Sequence, residues 1–342
     1  MSRSLRAHLL LFCVVALWGS TFVLVKDALR DISPLLFNLI RMALAFLCLA
    51  VVYRRRWRRI SAAGWRSGAL VGLFLAIAYQ FQTAGLNRTT PSKSAFITGL
   101  TLVLVPLFAV LPGLRRFGAK TPSWNVWLGV LLAFCGVVLL AAPVAAGSGV
   151  GGFLLPDLAG IGRGDLLTLG CAFAFAFHII LQDRFSNKDA TPVAGAREDM
   201  DDNHEGTFLR EGVQQGKRLT QAVEPIPFEH LALLQLGFCT VLMAITTPLL
   251  EKPHLQLSGI VVVALAVSSV LGTAVAFTVQ SWVQQFLPPT HLVLIYALEP
   301  VVAWLTSLAI LHEGLTARAG CGAALILAGM LVAEFIGPAA VQ

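Results

Sequence analysis

Two ionisable residues lie inside long apolar stretches of the chain. Arg41 is two residues from the centre of the apolar segment 34–52, and Glu299 is one residue from the centre of 290–310. At ~1.5 Å per helical residue, both lie within about 3 Å of the segment midpoints. Ionisable groups inside a bilayer are costly and mark substrate or ion pathways. The two residues therefore predict either two ends of one substrate site or a buried ion pair that only fixes helix packing.

The chemistry of the two groups is complementary. A guanidinium group such as that of Arg41 binds a carboxylate through its planar donors. The carboxyl group of Glu299 can hold an ammonium group or take up a coupling proton. Together they suit a zwitterion such as an amino acid.

Further polar and aromatic residues within apolar segments are candidates for the same substrate-binding or translocation site. Asn38 is three residues before Arg41 and Tyr296 is three residues before Glu299, so each pair shares a helix face. The remaining candidates are Trp18, Gln82, Thr98 and His178. The alternative for each is a structural role, through interhelical hydrogen bonds or core packing. Several polar stripes in one chain favour an aqueous cavity.

The elements that must position these residues are membrane-spanning helices. Of the 342 residues, 57% are hydrophobic and only 13% are charged, against roughly 25% charged in soluble domains. About 20 apolar residues are needed to cross a bilayer. Ten segments qualify, which predicts an all-α polytopic membrane protein: 8–25, 34–52, 66–85, 94–112, 124–142, 165–182, 228–249, 258–281, 290–310 and 315–337.

The basic residues predict the orientation. With the N-terminus inside, 17 of the 25 Lys and Arg residues lie on the cytoplasmic side, whereas the outer loops carry seven. Cytoplasmic loops are enriched in Lys and Arg. We therefore expect a multi-pass protein of the cell inner (plasma) membrane, with both termini cytoplasmic. Membrane orientation also explains the net charge of +7, so we expect no nucleic acid as a partner.

The two halves of the chain match each other. Val105-Pro106 aligns with Glu299-Pro300, and Gly129 and Gly136 align with Gly322 and Gly329. This predicts a five-helix repeat at 1–147 and a second at 160–337, interrupted by a polar cytoplasmic insertion at 186–224. An odd number of helices in each repeat inverts the second repeat relative to the first. Ten helices as two inverted repeats are typical of secondary transporters.

Several stretches also resemble a known family. They are Trp18-Gly-Ser-Thr-Phe, Ser33 to Arg41, Gly85 to Thr98, Gly164 to Gly170, Leu298-Glu-Pro300, His312-Glu-Gly-Leu-Thr and Gly322 to Gly329. In order and spacing they resemble the EamA-type transporters of the drug/metabolite transporter superfamily. The resemblance implies a ten-helix inner-membrane carrier that exports amino acids or other small metabolites. Two features depart from the family pattern: the insertion is long, and Val105 stands where the second repeat has Glu299.

Together these features predict a secondary active transporter, exporting a small metabolite by alternating access. Its partners would be a small-molecule substrate, the lipid bilayer and a coupling proton or ion. The alternatives are a membrane-embedded enzyme and a channel or structural membrane protein. We expect no enzyme, cofactor or metal, because the sequence lacks a P-loop, H-E-x-x-H and G-x-S-x-G.

Overall fold

The computed structural model of the protein describes residues 3–56, 60–89, 94, 97–114, 121–141, 162–186, 226–311 and 317–336. This part of the chain consists of helices and their connections, with two isolated β-bridges. In lipid, a helix satisfies every backbone polar group within its own segment. The prediction of an all-α membrane protein is confirmed for the described residues. Most of the predicted insertion 186–224 lies outside them.

The helices in chain order are α1 (Arg3–Ala28), α2 (Pro34–Val52), α3 (Ala62–Arg88), α4 (Thr101–Val110), α5 (Trp124–Ala141), α6 (Arg163–Phe185), α7 (Phe228–Leu250), α8 (Gly259–Val283), α9 (Pro289–Tyr296), α10 (Glu299–Leu311) and α11 (Ala317–Phe335). Helices α1, α2, α3, α6, α7 and α8 are long and apolar enough to cross a membrane. The four other predicted segments coincide with shorter apolar helices. The count of ten spans stays a prediction.

Two predicted continuous helices are interrupted. The segment 290–310 forms α9 and α10, separated by a turn at Ala297 and Leu298. Pro300 accounts for the break, because it has no N–H to donate and is best accommodated in the first turn of a helix. The segment 94–112 likewise contains a turn at Gly99 and Leu100 before α4 begins.

Helix α8 changes its winding near its middle. Residues Val270–Val275 form a π-helical turn between two α-helical parts, Gly259–Ser269 and Ala276–Val283. The predicted span 258–281 is therefore one helix with a wide turn inside it. Such turns are rare and are frequently found at functional sites.

Close glycine contacts join the fifth predicted span to the tenth. A Cβ atom at Gly129 would lie 2.6 Å from the carbonyl oxygen of Gly329, and one at Gly136 would lie 2.5 Å from that of Gly322. Since the lower-numbered glycine of α5 meets the higher-numbered glycine of α11, the helices run antiparallel. Only glycine permits backbones to approach this closely.

Candidate functional site

A cavity lies at the centre of the bundle, where helices from both halves of the chain meet. The volume of the cavity is about 120 Å³. It reaches from the α9–α10 break toward Val25 and Leu86, near the ends of α1 and α3. Seven of the eight predicted site residues line it: Trp18, Arg41, Gln82, Thr98, His178, Tyr296 and Glu299. Their roles in transport remain predictions.

Glu299 occupies the break between α9 and α10. It is the first residue of α10, and its partly buried side chain lines the cavity. Gly19 of α1 brings that helix against the break, because a Cβ there would lie 2.8 Å from the carbonyl oxygen of Glu299. The break thus places a carboxyl group, with no basic side chain within 4.0 Å in the described part of the chain, beside the cavity.

Aromatic rings form much of the cavity wall. The ring of Trp18 lies 5.2 Å from that of Tyr296 and 6.0 Å from that of Phe277. The ring of Tyr79 packs edge-on against Phe175 at 5.4 Å. Aromatic faces bind apolar groups and cations alike, so this wall suits a ligand with an apolar or cationic portion.

His178 lines the cavity and has one nitrogen without a hydrogen-bond partner among the described residues. Its Nε2 lies 2.8 Å from Oε1 of Gln235, whose Nε2 donates to Ser281 Oγ at 3.3 Å. Because this assignment leaves the amide oxygen facing the ring, His178 Nε2 carries the hydrogen and Nδ1 is an acceptor. His178 Nδ1 and the Tyr296 hydroxyl are buried and have no hydrogen-bond partner among the described residues. Buried polar atoms are almost always paired, so these two stand out among the described residues.

Arg41 is bonded to the protein rather than to Glu299. Its Nε donates to Thr273 Oγ1 at 2.7 Å, and its Nη2 donates to the carbonyl oxygen of Gly272 at 3.2 Å and to the Tyr79 hydroxyl at 3.3 Å. The guanidinium also lies over the Tyr79 ring, 4.7 Å from its centroid. Of the two sequence alternatives, the ion pair is wrong for the described residues, and both side chains line one cavity instead.

Asn38 is the predicted site residue that does not line the cavity. Its side chain is fully buried, and its Nδ2 donates to the Tyr79 carbonyl oxygen at 2.8 Å and to Thr83 Oγ1 at 2.9 Å. Asn38 and Arg41 are about 60° apart on α2. Because of this angle, the Arg41 side chain contacts α8 and the Asn38 side chain contacts α3.

Sequence reasoning missed some of the lining residues. Phe175 and Phe277 are apolar and give no signal in an apolar segment. Gln280 was not missed, because its amide within the apolar segment 258–281 makes it a weaker sequence candidate; it lines the cavity, and its Nε2 donates to Gln182 Oε1 at 3.3 Å. Gln182 in turn donates to Ser281 Oγ at 2.7 Å. The side-chain amides of α6, α7 and α8 thereby form a buried polar layer beside the cavity. The spacing of His178 and Gln182, four residues apart on α6, could have indicated this layer from the sequence.

Comparisons with known proteins agree with this architecture. The EamA-like transporter family model matches residues 5–142 and 216–335. An "Uncharacterized transporter" of Archaeoglobus fulgidus is 28% identical over 331 residues, which are 96% of this chain and 86% of that protein. The "Uncharacterized inner membrane transporter YedA" of Escherichia coli (strain K12) is 28% identical over 132 residues, 38% of this chain and 42% of YedA. A crystal structure, 21% identical with a TM-score of 0.67, covers 98% of this chain and all of its own, and shows the same fold.

Proposed function

Because this chain belongs to the EamA-like transporter family and is a multi-pass membrane transporter, we propose that it is a secondary active carrier that exports a small metabolite by alternating access. The central cavity would hold the substrate. The observation that carries the proposal is the carboxyl group of Glu299, at a helix break beside a cavity lined by both halves of the chain. Broken helices at a central site are typical of secondary transporters.

Two inverted five-helix repeats, 1–147 and 160–337, are part of this proposal. If Gly129 corresponds to Gly322 and Gly136 to Gly329, a two-fold axis converts the Gly129–Gly329 contact into Gly322–Gly136. Both contacts are present, with Cβ-to-oxygen distances of 2.6 and 2.5 Å. An axis in the membrane plane produces this exchange. Alternating access would then be a rocking of one half against the other around the cavity.

The packed helix pairs support the same symmetry. The packing of α1 on α10 corresponds to that of α6 on α4, and the packing of α3 on α6 corresponds to that of α8 on α1. The packing of α3 on α7 likewise corresponds to that of α8 on α2. Every one of these pairs is in contact. A ten-span bundle, with α9 and α10 as one interrupted span, accounts for these pairs.

The chemistry of the cavity suits an amino acid or a related amine. Glu299 would bind the ammonium group or exchange it for a coupling proton. Trp18, Phe277 and the other rings would hold an apolar side chain. The unpaired Tyr296 hydroxyl and the Gln82 amide are the donors that would face a carboxylate. Arg41 also lines the cavity, but its Nε and Nη2 are bonded to protein atoms.

The orientation completes the proposal. The charge distribution favours cytoplasmic termini in the cell inner membrane. The ends of α1 and α3 then lie on the outer side, so the cavity extends from the middle of the membrane outward. The buried amides of α6, α7 and α8 would close its cytoplasmic side.

The purified protein in proteoliposomes tests the proposal. Vesicles loaded with a mixture of unlabelled L-amino acids would be diluted into a trace of the same isotope-labelled mixture, and uptake would be resolved by mass spectrometry. A carrier gives saturable counterflow of particular amino acids against their gradient. Unsaturable flux without counterflow would show a channel, chemical conversion would show an enzyme, and absence of any flux would reject amino acids as substrates.

A further inference from the structure

The π-helical turn of α8 decides which face of its last two turns points at the cavity. The turn holds one residue more than an α-helix would in the same length. One extra residue rotates everything after it by about 100°, the angle per residue of an α-helix. With the turn in place, Phe277 and Gln280 line the cavity. In a continuous α-helix, Ala276 and Val279 would take those two positions.

Side chains from the first half of the chain hold this turn. The carbonyl oxygen of Gly272 accepts hydrogen bonds from Trp18 Nε1 at 2.8 Å and from Arg41 Nη2 at 3.2 Å. Arg41 Nε also donates to Thr273 Oγ1, which itself donates to the Ser268 carbonyl oxygen, five residues back, at 2.7 Å. These are bonds that a π turn offers, because its widened winding leaves backbone carbonyls open to lateral donors.

We propose that Arg41 is a positioning residue: with Trp18, it stabilises the π turn of α8 and thereby sets the Phe277–Gln280 face of the cavity. Its own contacts support this role over direct substrate binding. Arg41 is 8% exposed, its Nε and Nη2 bind protein atoms, and its guanidinium packs over the Tyr79 ring. The consequence for transport rests on the proposed function of the cavity, whereas the effect on the winding of α8 does not.

Cross-linking measures the winding directly. Since Gln280 meets Gln182 across the α6–α8 contact, cysteines at these two positions, in a chain lacking the six native cysteines, should be joined by a short bifunctional thiol reagent. A Q182C/V279C pair should react weakly. Arg41→Met should reverse the preference. We expect the ratio of 280 to 279 cross-linking to fall about tenfold or more, since each hydrogen bond from a charged donor changes such an equilibrium by roughly that factor.

Matched variants separate loss of the turn from loss of folding. Gln80→Met removes a buried polar group that donates to Thr246, and it should leave the ratio unchanged. If Arg41→Met is not monodisperse in detergent, Trp18→Phe combined with Thr273→Val removes the Trp18–Gly272, Arg41–Thr273 and Thr273–Ser268 bonds of the turn, while Arg41 keeps Gly272 and Tyr79 as partners. An unchanged ratio in whichever of these variants folds would overturn the proposal.

A deletion provides the rescue. Removing Leu271, a 46% exposed residue of the turn, should convert α8 to a continuous α-helix and leave Phe277 and Gln280 in place. Exposed Val270 or Val275 serves if that deletion does not fold. In this background Arg41→Met should alter neither the cross-linking ratio nor the counterflow of the amino-acid mixture. If Arg41 binds substrate directly, counterflow is lost in both backgrounds. If the parent chain transports no amino acid, the proposed function fails while cross-linking still decides the role of Arg41.

Discussion

Replacing Gly136 with alanine should separate α5 from α11. The new Cβ would lie 2.5 Å from the Gly322 carbonyl oxygen and 2.8 Å from Ile326. Ordinary contact begins at 3.4 Å, so the backbones would have to move apart by about 0.9 Å. Overpacking of a tight interior costs about 1–3 kcal/mol.

The matched control is Gly320→Ala, in which the new Cβ meets nothing within 4 Å. Both changes alter helix propensity by the same residue types, so their difference isolates the helix contact. Unfolding in mixed micelles with increasing SDS, followed by circular dichroism, should show Gly136→Ala less stable than Gly320→Ala by about 1–3 kcal/mol. Gly329→Ala, whose Cβ would lie 2.5 Å from the Gly129 carbonyl oxygen, should behave like Gly136→Ala. A difference below about 0.5 kcal/mol, the usual range for surface changes, would refute the close packing of α5 against α11.

Three further predictions follow from the fold and the charge pattern. Asn38→Ala should lower stability by about 1–3 kcal/mol because it leaves buried partners unpaired, yet leave the KM for transport unchanged, since Asn38 does not line the cavity; a raised KM would return Asn38 to the site. A cysteine replacing exposed Arg30 should react with a membrane-impermeant thiol reagent in intact cells, whereas one replacing exposed Arg55 should react only after the cells are permeabilised. The reverse pattern would show that the predicted orientation is inverted. Deleting 190–220 with a short Gly/Ser linker should preserve monodisperse protein, because Ser186 and Ile226 at the two ends of the insertion pair in a β-bridge; aggregation would show that the insertion packs against the bundle.

The spans and most of the cavity were predictable because a single physical constraint fixes both. Lipid requires long apolar helices, so polar side chains within them must face inward. Hence Gln82, Thr98, His178, Tyr296 and Glu299, which belong to four different spans, line one cavity. Pro300 indicated only a lost backbone hydrogen bond beside Glu299, whereas the separation of α9 from α10 was not predicted.

Lateral contacts between distant segments could not be predicted in the same way. The π turn of α8 depends on donors supplied by Trp18 and Arg41, more than two hundred residues away in the chain. Because the sequence does not reveal this turn, it does not show which face of α8 carries Phe277. The same limitation explains Asn38, whose shared face with Arg41 predicted a cavity position, whereas its partner is the neighbouring helix α3.

The central claim is that Glu299 in the cavity binds what the protein carries. Glu299→Gln keeps the size of the side chain and removes its charge, and Asp27→Asn makes the same change at the exposed end of α1, where Asp27 pairs only with Arg30 at 3.4 Å in the described part of the chain. The decisive measurement is counterflow of the labelled amino-acid mixture by both variants in proteoliposomes. We predict that Glu299→Gln loses counterflow by about tenfold or more, the effect of one hydrogen bond to a charged group, while Asp27→Asn retains it. Counterflow by Glu299→Gln equal to that of the unaltered chain would contradict the account.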